Sequence, residues 1–169
     1  MKANWFGALA TTLLLGLIVS AVQADDLWLV DFEAAKAKAA KEGKDILMEF
    51  TGSDWCPPCI ALHDKVLTKD VFREKTPEKY VLLKLDTPKD KSKQTPAEIE
   101  QYKRLSSEYK ITGVPTIILA DAKGRPFGKN VGYSRAEAGK YVGELLEKTK
   151  LRETRDDRLA KADWKSTRL

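Results

Sequence analysis

Residues 50–60 read FTGSDWCPPCI, and they hold both cysteines of the 169-residue chain, three positions apart with two prolines between them. Three uses of such a pair are open: a clamp for the fold, a metal site or a reactive dithiol. The flanks narrow the choice. Upstream, Asp45–Phe50 (DILMEF) is a short, nearly continuous apolar run, the pattern of a strand covered on both faces. Downstream, Pro57–Leu67 (PPCIALHDKVL) reads as a helix whose prolines fall in the first turn, where N–H groups lack intrahelical partners in any case. The Cys-x-x-Cys spacing alone is moderately specific. Set between a strand and a helix it becomes a strong sign of thiol chemistry.

The ends of the chain bear on the redox state of the pair. Residues 1–24 carry one charge, Lys2, then an apolar run from Trp5 to Val19 and small residues at Val22 and Ala24 ahead of Asp25 and Asp26. This is the pattern of a secretory signal peptide cleaved after Ala24. An uncleaved membrane anchor is the rival, since the run approaches spanning length. No cysteine stands at the cleavage point, so lipid attachment of the bacterial kind is not supported. The sequence thus predicts an exported protein, periplasmic or secreted, with a folded domain over residues 25–146 and a charged basic tail over 147–169. No membrane span is expected after cleavage, and a monomer is expected.

Loss of Lys2 with the leader takes the formal charge from +5 to +4, and the tail, with eight Lys/Arg against five Asp/Glu, holds +3 of it. The domain is therefore close to neutral, which argues against a nucleic-acid partner, because that needs a basic face on the fold. A solvated, flexible or frayed helical end is the expectation for the tail.

Outside the cytoplasm a bonded cysteine pair is expected. A disulfide stabilises most when it closes a long loop, and this small ring gives only about 2 kcal/mol against about 4.7 kcal/mol for a 100-residue loop. The domain is also long enough to bury a core without a staple. A structural clamp is a poor explanation.

Along the chain, Asp31 caps a helix over 32–43 that ends at Gly43. A short helix follows near 70–75, interrupted at Thr76-Pro77. KYVLLKLD (79–86) is a second strand, and 87–96, with two prolines and no large apolar residue, is an exposed loop. Thr95, Pro96 and Glu98 form a capping-box start to a helix running to about Tyr109. TGVPTIILAD (112–121) is a third strand and 127–131 a fourth, joined as an antiparallel hairpin. Ser134 is the expected cap of a last helix over 135–150. The predicted fold is α/β, a mixed central sheet of four to five strands with helices on both faces.

On this framework Cys56 sits at a helix N-terminus, where the dipole and free N–H groups favour a thiolate. Cys59 falls one turn inside, close enough to bond to it but less accessible. That division suits a two-step exchange in which Cys56 forms a mixed disulfide and Cys59 resolves it. Trp55 shields the flank of the motif.

DWCPPC, the later GVPT and the order of elements resemble the thioredoxin family, and FTGSDWCPPC looks most like its exported bacterial members. The resemblance spans roughly residues 27–146 and implies a thioredoxin fold and a thiol–disulfide oxidoreductase. Its substrates would be protein thiols or disulfides, its redox partner membrane-bound or soluble, and it needs no cofactor beyond the Cys56–Cys59 pair. It further implies a cis Val114–Pro115 bond beside the dithiol, with the Val114 backbone open to an extended substrate. In the family a buried acid on the strand before the motif, usually Asp, exchanges protons with the inner cysteine. Here Glu49 is the candidate, with one extra residue between it and the motif. Pro58 matches the residue before the inner cysteine, whereas Pro57 replaces the usual glycine.

Asp54 and His63 are secondary candidates. Asp54 reads as a cap at the helix entrance. His63, the sole histidine, lies four after Cys59 on the same helix face, so Cys56, Cys59 and His63 form an alternative Zn/Cu module. No fourth ligand stands nearby, and a packed or exposed His63 is the plainer reading; no metal is expected. A non-catalytic binding domain with a permanent disulfide is the other alternative. The direction of electron flow is set by how strongly the fold favours the reduced over the oxidised motif, which residue types do not encode.

Overall fold

The computed structural model describes residues 27–166, so the signal-peptide reading of residues 1–24 lies outside the described residues. A two-residue strand, β1 (Trp28–Leu29), leads into α1 (Phe32–Glu42). The Asp31 carboxylate accepts from the Ala34 N–H at 2.6 Å, and Gly43, at φ 66°, ends the helix in the left-handed conformation that glycine adopts without penalty. Then come β2 (Asp45–Thr51), α2 (Pro57–Leu62) continued by a π-helical turn (His63–Leu67), α3 (Asp70–Lys79) and β3 (Tyr80–Asp86). The second half holds α4 (Pro96–Glu108), β4 (Thr116–Ala120), β5 (Pro126–Val131), α5 (Ala138–Glu147) and α6 (Lys150–Ser166).

The strands form one mixed sheet in the order β1-β3-β2-β4-β5. β2 lies at its centre, parallel to β3 and antiparallel to β4, and all seven of its residues are buried. Side chains alternate across the sheet, so the strand feeds two cores. Ile46, Met48 and Phe50 pack with Phe32, Leu105 and Tyr109 on the α1/α4 side. Leu47 packs with Leu62, Val66, Phe72 and Val142 on the α2/α3/α5 side. Each such side chain contributes about 1.5–3 kcal/mol by leaving water. Glu49 has the parity of Leu47 and therefore faces α2.

The expected α/β architecture is present, with local differences. β1 has too few residues to show a pattern in sequence; its register against Leu82 and Leu83 makes it the fifth strand. α3 runs through Thr76-Pro77 rather than stopping there. Only the final turn lies beyond the proline, the Thr76 hydroxyl bonds the Phe72 carbonyl, and both residues are fully buried. The capping box of α4 is formed as predicted, with Thr95 Oγ1 accepting from the Glu98 N–H at 3.2 Å and Glu98 from the Thr95 N–H at 2.7 Å. Ser134 does not cap the next helix. Arg135 takes a left-handed turn at φ 61°, and α5 begins only at Ala138.

The tail, predicted as a frayed end, is helical from Lys150 and docks back on the sheet. Arg152 Nη1 lies 2.6 Å from Asp45 Oδ1, and Arg155 Nη2 lies 2.7 Å from Asp121 Oδ2. Charge count alone hides this, because the acids that receive those arginines lie far upstream in sequence.

Candidate active site

The end of β2 delivers the chain to the dithiol through Thr51–Trp55. Ser53 is tied to β3, its N–H donating to Asp86 Oδ1 at 3.0 Å and its hydroxyl to the same carboxylate. The Trp55 indole folds back over Gly52, where an added Cβ would lie 2.5 Å from the ring. Its Nε1–H donates to the Thr87 carbonyl at 2.7 Å. Gly52 is required by that close approach, and Trp55 stays 40% exposed beside the cysteines.

Cys56 is itself the N-cap of α2, and its Sγ accepts from the Cys59 N–H at 3.3 Å. Pro57 and Pro58 fill the first two helical positions and bring no N–H, so Cys59 supplies the first amide of the helix that points at the sulfur. The two cysteines are joined in a disulfide and are nearly inaccessible, Cys56 at 3% and Cys59 at 1%. Across from them, the Val114–Pro115 bond is cis, and the Val114 carbonyl oxygen lies 3.6 Å from Cys56 Sγ. The structure thus brings Trp55, Cys56, Cys59, Val114 and Pro115 together.

Beneath α2 lies Glu49, 2% exposed, opposite Lys84 of β3 and Ile117 of β4. Burial pushes its carboxyl up to about 7, opposed by the charges of Lys84 and His63 and by a hydrogen bond from Thr51. A cleft of about 290 Å³ runs from Glu49 and Cys59 past Lys84 to His63 and Asp64 at the surface. The one-residue offset in sequence therefore leaves Glu49 on the dithiol side of the sheet.

Two secondary candidates take other places. Asp54 does not cap α2. Its carboxylate accepts from the Lys89 N–H at 2.9 Å, a bond that holds it below the usual carboxylate range and pins the 87–93 loop against the motif. His63 is 57% exposed, with Nδ1 3.1 Å from Asp64 Oδ1. It shares a cleft with Cys59, yet among the described residues no group of three or more His, Cys, Asp or Glu is placed to hold a metal ion.

The residues missed in the sequence are Lys84, Asp86 and Thr87. Lys84 carried a readable signal, being the one charge inside the apolar run YVLLKL, as Glu49 is inside ILMEF. Asp86 and Thr87 carried none, because their role depends on strand β3 ending level with β2.

The chain matches the family model of the thioredoxin-like domain over residues 32–145. It is similar to the disulfide bond reductase DsbH of Chlamydia pneumoniae, 28% identical over 131 residues that make up 78% of each chain. It is also 28% identical over 142 residues to the thioredoxin-related protein DsbJ of the same organism, covering 80% of this chain but only 40% of that protein. A solved structure of a DsbH oxidoreductase superposes with a TM-score of 0.68 at 24% identity, covering 85% of this chain and 96% of that one, a likeness of fold.

Proposed function

The chain belongs to the thioredoxin-like domain family, and from that membership we propose that it is an exported thiol–disulfide oxidoreductase that reduces disulfides in protein substrates. The observation that carries this reading is the Cys56–Cys59 disulfide at the first turn of α2, with its outer sulfur 3.6 Å from the Val114 carbonyl. A ring this small adds little to the fold, and its outer sulfur lies beside the Val114 backbone. The reductive direction is supported by the similarity to DsbH, which is named a disulfide bond reductase.

In the reduced protein, Cys56 as thiolate attacks one sulfur of a substrate disulfide. A Cys56–substrate disulfide forms and the first substrate thiolate leaves. The Cys59 N–H and the start of α2 stabilise the Cys56 thiolate before attack. Glu49 then takes the Cys59 proton, and the Cys59 thiolate attacks Cys56 Sγ. The second substrate sulfur departs as a thiolate, leaving the substrate reduced and the Cys56–Cys59 disulfide formed. A dithiol partner, membrane-bound or soluble, returns two electrons by the reverse sequence, in which Glu49 reprotonates Cys59.

Trp55 and the Val114 backbone flank the attacking sulfur, and substrate lies between them as an extended segment paired to Val114. The Pro57-Pro58 pair stiffens the ring in both redox states. The test is capture in the native host with Cys59→Ala, which leaves the mixed disulfide unresolved. Protein adducts linked through Cys56 are expected in the exported fraction. Their absence, or adducts that persist in Cys56→Ser, would overturn the reading.

A further inference from the structure

Glu49 takes a proton from Cys59 in one half-reaction and gives one back in the other. For its charge state to follow the solvent between them it needs a route outward, although it is only 2% exposed. Its surroundings close most routes. Ile117 stands beside it on β4 and Lys84 beside it on β3. The cluster of Leu47, Leu62, Val66, Val142 and Tyr141 fills the rest of the space under α2 and α5, and Tyr141 is the titratable group that α5 brings toward Glu49. The cleft that reaches it, about 290 Å³, is lined by Glu49, Thr51, Ser53, Cys59, Ile60, His63, Asp64 and Lys84. Several water molecules fit such a volume, each occupying about 30 Å³. His63 stands at its outer end, the only imidazole in the chain.

The local backbone sets that position. His63 is the fourth residue after Cys59, and the helix widens there into a π-helical turn, with the Thr68 N–H bonding the His63 carbonyl at 3.1 Å. Such a turn keeps His63 on the Cys59 face while burying Val66 and Leu67 against α3 and α5. α3 and α5 bring no charged group to the cleft. The charged groups facing the ring are Glu49 from β2, Lys84 from β3 and Asp64 from its own turn, the last 3.1 Å from Nδ1.

We propose that His63 is the proton exit for Glu49, a positioning residue held by Asp64 that passes the proton between the buried carboxyl and solvent through the cleft. This rests on the oxidoreductase reading above. With Nδ1 3.1 Å from Asp64 Oδ1, Nε2 is the ring nitrogen left to exchange a proton. In the forward reaction the proton moves from Cys59 Sγ to Glu49, from Glu49 to the His63 imidazole, and from the imidazolium to bulk water. In recharging it runs inward by the same groups. No electrons pass through His63. A positively charged His63 also favours the carboxylate form of Glu49, opposing the burial that raises this carboxyl.

The experiment measures repeated turnover of a model protein disulfide with a dithiol reductant across pH in wild type, His63→Gln and Glu49→Gln, with and without added imidazole. His63→Gln is expected to slow turnover by about tenfold near neutral pH, less than the roughly 10²–10⁴-fold of a group that transfers the reacting proton itself, and to move its acid limb upward. Imidazole is expected to restore the rate in His63→Gln and to do nothing for Glu49→Gln. A His63→Gln profile like wild type, or one that is slowed but deaf to imidazole, overturns the inference while Glu49→Gln still removes the limb. A Glu49→Gln profile like wild type overturns the proton-relay reading and the inference with it.

Discussion

Burial of the Glu49 carboxyl beside Lys84 makes the stability of the whole domain depend on one residue's proton. Its folded value is raised from an ordinary 4.5 to about 7, so the folded state binds a proton that the unfolded chain releases. The sign follows from linkage: stability is full below about 4.5 and falls as pH rises toward 7, by at most about 3 kcal/mol. Glu49→Gln is expected to remove that slope and to be more stable than wild type at pH 8. Urea unfolding at pH 4, 6 and 8 checks it, and parallel curves for the two proteins would count against it. Glu49 was legible because a charge inside ILMEF demands a reason, whereas its reach to the dithiol was not. That depends on parity along β2 and on where α2 starts, neither of which the residue types encode. Gly52 makes the same point from the other side. Gly52→Ala places a methyl against the Trp55 ring, and a red-shifted Trp fluorescence with slower exchange is the expected result.

At the scale of elements, α2 shows local sequence and function pulling in different directions. A helix start normally offers several free N–H groups to an anion, and Pro57 and Pro58 remove two of them from the site where a thiolate must form. Pro57→Gly restores one donor and loosens the ring in both redox states. The expectation is a shifted reduction potential with exchange retained, read from the equilibrium with glutathione; about 30 mV corresponds to about 1.4 kcal/mol. An unchanged potential would mean the lost N–H and the stiffness do not matter. The helices that sequence placed best are those with a capping residue and a clear stop, α1 with Asp31 and Gly43 and α4 with Thr95 and Glu98. The helices it placed poorly are decided by distant contacts: α3 passes its proline because Phe72 and Thr76 are buried, and α5 waits for the turn at Arg135.

Across the whole molecule the chemistry and the anchoring of the C-terminal helix sit at opposite ends of the sheet. β2 is seven residues long, about 20 Å, with the dithiol beyond Thr51 and the buried Asp45 at its start. Asp45 and Asp121 there receive Arg152 and Arg155 of α6, and burial raises the Asp45 carboxyl while Arg152 opposes the shift. Arg152 is 42% exposed, so solvent screens the pair, and Arg152→Ala should lower stability by about 1–2 kcal/mol. The same variant should leave the exchange rate unchanged, and thermal unfolding alongside a turnover assay separates the two effects. This long-range clamp is the part of the fold least visible in sequence, since 107 residues separate Arg152 from its partner. The dithiol, by contrast, was visible because strand, motif and helix are contiguous. Its role is the central claim, and reduction of a model protein disulfide by Cys56→Ser tests it most directly. This variant, with Cys59 intact and buried, is expected to lose the reaction altogether; reduction at the wild-type rate would rule out Cys56 as the attacking sulfur.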